Sequence, residues 1–168
     1  MKASKLIYYL DDDTDDLEIF TDIAEHSGHQ VYTFLNGNEM FYALKHDSRK
    51  PDLIFLDIHM PVLNGEEILN VIRKSEEYKQ IPIVMISGAY PPKLVRHFLK
   101  SGANFLMKKS AGKEFGETLG SVFQMDFTTP KPAPKTSGLS RLLEAKKLYL
   151  KNTIYGTEQD PKTGIAPA

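Results

Sequence analysis

The chain has 168 residues, 41% hydrophobic and 26% charged, with a formal net charge of −1; that size and composition suit one soluble domain with an appendage. Near-neutral charge exerts no global pull toward nucleic acid, and the lack of cysteine removes disulfide frameworks and thiolate metal sites. The opening MKASKLIYYLDDD meets carboxylates after about five apolar residues, too few for a signal-peptide core or a membrane span, so a cytoplasmic location with no membrane contact is the default expectation.

Up to Asp126, short apolar runs alternate with segments of helical period, the pattern of a parallel sheet with crossover helices. The first strand is predicted at Leu6 to Leu10, followed by a helical stripe of Leu17, Phe20, Ile23 and Ala24 that stops before Gly28. A second strand, Gln30 to Phe34, leads through the turn pair Asn36 and Gly37 to a stripe of Met40, Phe41 and Leu44. The third strand spans Asp52 to Leu56 and precedes a stripe of Ile68, Leu69 and Ile72. The fourth, Ile83 to Ile86, precedes Leu94, Phe98 and Leu99, which end before Gly102. The fifth, Asn104 to Met107, precedes Phe115, Leu119, Val122 and Phe123, a stripe interrupted by the helix-weakening Gly116 and Gly120. Leu53 to Leu56 and Ile83 to Ile86 are continuously apolar, as central strands covered on both faces require. Five βα units result, forming a domain over residues 1–126.

Beyond Asp126, TTPKPAPKTSG has little to bury and reads as an extended linker over residues 127–136. Residues 137–152 then carry Leu139, Leu142, Leu143, Tyr149 and Leu150 at helical spacing, and residues 153–168 lack any period and read as disordered. An apolar stripe so short is not stable alone in water. It is expected to dock on the domain, to exchange between two chains as a homodimer, or to rest on an apolar patch. The residues after Asp126 are too few for a winged-helix or helix-turn-helix domain, so no nucleic-acid output is expected.

In open α/β sheets, ligands gather at the carboxyl ends of the strands. Here the first strand is followed by Asp11 and Asp12, the third by Asp57, the fourth by Ser87 and the fifth by Lys108 and Lys109, with register favouring Lys109 over Lys108 at the pocket. Three carboxylates, a hydroxyl and a lysine would therefore converge on one edge of the sheet. Their mutual repulsion is relieved most directly by the lysine and by a divalent cation, and hard carboxylate oxygens favour magnesium. Asp13, Asp15 and Asp16 read as the acidic start of the first helix.

At these residues a resemblance becomes specific. LDDD at Leu10 to Asp13, DIHMPVLNG at Asp57 to Gly65, Ser87 after IPIVMI, and GANFLMKK at Gly102 to Lys109 resemble the ordered motifs of response-regulator receiver domains of two-component signalling, among them the chemotaxis regulators. The resemblance implies a flavodoxin-like, doubly wound sheet of strand order 2-1-3-4-5. It also implies that Asp57 takes a phosphoryl group from a histidine kinase or phosphotransfer protein. Magnesium would be bound by Asp12, Asp57 and the backbone carbonyl of His59, with Asp11 acting through water. Lys109 would pair with the phosphoryl oxygens, and Ser87 would move to hydrogen-bond them, passing the signal to a downstream protein. The implied role is a signalling phosphoacceptor rather than an enzyme with a separate substrate.

Two positions depart from the family pattern. Leu106 stands where many receivers carry Tyr or Phe, which alters the hydroxyl-to-aromatic switch, and Ser110 follows Lys109 where proline is usual. The His59 side chain has no partners spaced for a catalytic triad and is expected to be exposed. Other chemistries fit less well. An EF-hand reading of the first acidic run fails because a strand precedes it and Asp16 occupies the turn-glycine position. A haloacid-dehalogenase reading wants Thr or Val where Asp15 stands, and acids where Ser87, Gly88 and Ala89 stand. A degenerate receiver is disfavoured by the intact Asp11, Asp12, Asp57 and Lys109.

Overall fold

The structure, a computed structural model, describes residues 3–127. Strands and helices alternate: β1 Leu6–Leu10, α1 Thr14–His26, β2 Gln30–Phe34, α2 Gly37–His46, β3 Leu53–Asp57, α3 Gly65–Lys74, β4 Ile83–Ser87, α4 Pro92–Lys100, β5 Phe105–Lys108 and α5 Lys113–Phe123. All strand pairs are parallel, in the order β2-β1-β3-β4-β5. This is the doubly wound, flavodoxin-like arrangement anticipated from the motifs. The linker beyond Phe127, the helix at 137–152 and the tail at 153–168 lie outside the described residues. Phe127 itself, assigned to the linker, is half-buried against the core.

The burial of the strands follows from their composition. β1, β3 and β4 are buried along their whole length, which is why they carry no polar alternation. Edge strand β2 exposes Gln30, Tyr32 and Thr33 and buries Phe34. A layer of aromatics fills the space between the sheet and the α1 and α5 helices. Phe20 lies 4.2 Å from Tyr9 and 4.8 Å from Phe55 by ring centroid, and Phe123 closes the layer at 6.0 Å from Phe55.

Polar side chains set the helix starts. Asp13 caps α1 by accepting from the N–H groups of Asp15 and Asp16, and Asn64 with Glu67 forms a capping box on α3. Asn36, read from sequence as half of a turn, is the N-cap of α2, and Gly37 is its first helical residue. On α4 the buried positions are Val95 and Phe98, with Leu94 and Leu99 half-buried, so the helix is rotated slightly from the predicted stripe. Arg73 ties the amino-terminal edges of β4 and β5 together. Its guanidinium donates to the carbonyls of Lys79, Ile81 and Gly102 and to Asn104 Oδ1, and burial lowers its pKa to about 10.

Candidate functional site

The strand order reverses between β1, which leads to one edge, and β3, which leads to the other; a crevice opens at such a switch point. Register sets the acids there. Leu10 pairs with Leu56, so Asp11, one residue past β1, stands beside Asp57, the last residue of β3. Asp11 is fully buried, Asp57 is 4% exposed, and Asp12 is exposed at the mouth. One carboxylate oxygen from each of the three lies within 4.8 Å of the others.

Lys109 enters from the opposite edge. Its N–H donates to the Ser87 carbonyl at 2.8 Å, which extends the β4–β5 ladder by one step beyond Lys108. The ammonium lies 2.8 Å from Asp11, 2.6 Å from Asp16 and 3.1 Å from Asp57. Lys108 is exposed and pairs in register with Ser87, so the structure brings Lys109 to the acids. Burial alone would lower the pKa of Lys109, but hydrogen bonds to Asp11 and Asp16, with attraction from Asp11 and Asp57, hold it well above the ordinary lysine value.

Asp57 feels the opposite pressure. Burial and the neighbouring Asp11 raise its pKa, while Lys109 and the His59 N–H, which donates to Oδ2 at 2.7 Å, lower it in part. The His59 side chain is exposed. Ser87 is fully buried, and its hydroxyl oxygen accepts from the Ala89 N–H at 3.2 Å. Leu106 is buried in β5 opposite Met85. Directly behind Asp57, α3 begins so close that a Cβ on Gly65 would stand 2.2 Å from the Asp57 carbonyl oxygen.

Two further residues belong to this neighbourhood. Tyr9 donates its hydroxyl to Asp11 Oδ2, and burial together with Asp11 raises its pKa far above the ordinary phenol. Alternation along a strand puts residues i and i+2 on one face, so Tyr9 was findable from its spacing to Asp11. Asp16 does more than begin α1, because it reaches Lys109. The donor set fits a hard divalent cation: Asp11, Asp12 and Asp57 each bring a carboxylate oxygen within 4.8 Å of the others, Asp12 from the exposed mouth and Asp57 from its buried floor, against a single ammonium. Asp11 is mostly committed elsewhere, since Oδ1 accepts from the Asp13 N–H and Oδ2 from Tyr9 and Lys109.

Residues 7–119 match the family model described as the response regulator receiver domain. The chain belongs to that family. It is 38% identical over 106 residues to the CAI-1 autoinducer sensor kinase/phosphatase CqsS of Vibrio cholerae, covering 61% of this chain but 15% of that protein. It is 31% identical over 100 residues to the two-component response regulator ORR3 of Oryza sativa subsp. indica, covering 59% of this chain and 76% of that one. Among solved structures, it is similar to the phosphorylated cyanobacterial phytochrome response regulator RcpA, with 25% identity and a TM-score of 0.68 over 78% of this chain and all of that one. The receiver thus supplies a signalling phosphoacceptor scaffold. Among the described residues, no helix is long and apolar enough to cross a membrane.

Proposed function

We propose that this receiver accepts a phosphoryl group on Asp57 from a histidine kinase or phosphotransfer protein and presents an altered surface to a downstream protein. The observation that carries this reading is the buried Asp57 carboxylate at the end of β3, 3.1 Å from the Lys109 ammonium and beside Asp11 and Asp12. In the transfer, an Asp57 oxygen forms a P–O bond as the P–N bond of the donor phosphohistidine breaks, and its electron pair leaves with the imidazole. Such transfer depends on positioning and charge cancellation more than on covalent chemistry by the protein.

In this reading Asp12, Asp57 and the His59 carbonyl would hold magnesium, with Asp11 acting through water, and the ion would offset negative charge shared by carboxylate and phosphoryl oxygens. Lys109 pairs with the phosphoryl group from the other side. The added charge and acceptor oxygens draw in the Ser87 hydroxyl, whose O–H is available to donate because its oxygen serves as acceptor from the Ala89 N–H. Leu106 fills the β5 position that turns with this switch. The chemistry is limited to forming and hydrolysing the acyl phosphate of the chain itself. A cytoplasmic location and output by protein contact rather than nucleic acid belong to the same reading.

The test is intact-mass analysis after incubation with acetyl phosphate, with and without magnesium. One phosphoryl group is expected in the wild type only with magnesium, and none in Asp57→Asn. Stable modification of Asp57→Asn to the same extent would remove the assignment.

A further inference from the structure

Asp16 lies in the first turn of α1, where an acid needs no special explanation because it complements the helix dipole. Asp15, beside it, has that role and is exposed. Asp16 differs from it in one respect. Its carboxylate lies 2.6 Å from Lys109 Nζ, nearer than Asp11 at 2.8 Å and Asp57 at 3.1 Å. These three are the ion-pair partners of Lys109 among the described residues. Asp16 is also the most accessible of the three, with its side chain 37% exposed against 0% for Asp11 and 5% for Asp57.

We propose that Asp16 is a positioning residue that draws on the Lys109 ammonium from the α1 side while that ammonium also contacts Asp11 and Asp57, so that Asp16 restrains capture of the phosphoryl group. Asp11 cannot do this alone, because its Oδ2 is shared between Lys109 and the Tyr9 hydroxyl. Asp16 is not tied in that way. It competes for the same positive charge that an incoming phosphoryl oxygen needs, and that competition must be overcome each time Asp57 is phosphorylated.

The inference rests on Asp57 as the phosphoacceptor. It is tested by the rate at which acetyl phosphate with magnesium modifies Asp16→Asn, Asp16→Glu and Asp15→Asn. Asp16→Asn is expected to react about fivefold faster than wild type, the factor that one unit charge a few ångström away carries in high dielectric. Asp16→Glu, which keeps the anion, returns toward the wild-type rate. Asp15→Asn removes the same helix-start charge without touching Lys109 and stays within about twofold of wild type. In a Lys109→Gln background, Asp16→Asn has no further effect.

An unchanged or slower Asp16→Asn, an equal gain in Asp15→Asn, or a gain that persists without Lys109 would overturn the proposal. A urea-unfolding double-mutant cycle on Asp16 and Lys109, without magnesium or phosphodonor, provides a readout independent of phosphorylation. Coupling is expected there, and strict additivity would also overturn it. If the wild type gains no phosphoryl group on Asp57, the reading of function fails, while the cycle still decides whether Asp16 holds Lys109.

Discussion

Gly65→Ala probes how tightly the fold is built against the site. The new Cβ would stand 2.2 Å from the Asp57 carbonyl oxygen and 3.1 Å from both the Asp57 carbonyl carbon and Met85 Cε. The methionine end can swing away; the strand carbonyl cannot, because it is backbone in the middle of the sheet. The start of α3 must therefore shift, at an overpacking cost of about 3 kcal/mol. Gly65 is the first residue of α3, so alanine recovers only part of the roughly 1 kcal/mol that it gains in a helix interior, and the net loss is between about 2 and 3 kcal/mol, a fall of about 1 M in the urea midpoint with little change in slope. Gly116→Ala is the control. Its Cβ would meet Ile23 Cδ1 at 3.9 Å, an ordinary contact in the interior of α5, so it gains up to about 1 kcal/mol. Equilibrium urea unfolding of both variants decides the matter, and a neutral or stabilised Gly65→Ala would refute the close approach of α3 to Asp57.

Three further outcomes follow from particular residues. Val62 is fully exposed with a φ of 69°, a strained setting for a β-branched residue, so Val62→Asn raises stability by about 1 kcal/mol in the same assay; an unchanged midpoint would contradict the strain. His29 accepts from the Lys5 N–H at its Nδ1, and burial followed by the charge of Lys5 lowers its pKa below 6.5. The unfolded chain therefore binds the proton first as pH falls, so stability is lost from about pH 6.5 downward. His29→Gln flattens that part of the unfolding profile, and identical profiles would show that His29 is not the source. Asp12→Ala weakens magnesium binding measured by calorimetry and leaves the fold intact. Asp13→Ala retains magnesium but loses about 1 kcal/mol as the α1 cap is removed; equal losses of magnesium would mean that the two roles are misassigned.

Much of the fold was legible because the central strands are apolar on both faces. β1 and β2 fall at their predicted bounds, and β3 and β5 begin and end one residue later than predicted. The reason for the shift is that backbone pairing continues through Asp57 and Lys108 regardless of side-chain polarity. Asp57, Asp11, Asp12, Ser87 and Lys109 were locatable because each stands at or just past the end of a strand. Asp16 was not, because its contact depends on how α1 lies against the end of β5, which periodicity does not encode. The α4 stripe missed Val95 for a similar reason: residues 94, 95, 98 and 99 share a broad face, and packing alone selects its centre.

The central claim is that Asp57 is the residue that carries the phosphoryl group. Borohydride reduces an aspartyl phosphate to homoserine, so treating the wild type after acetyl phosphate and magnesium, then mapping its peptides by mass, marks the site directly. Conversion is predicted at Asp57 alone and only when both reagents were present, while homoserine at Asp11 or Asp12, or none at Asp57, would contradict the account.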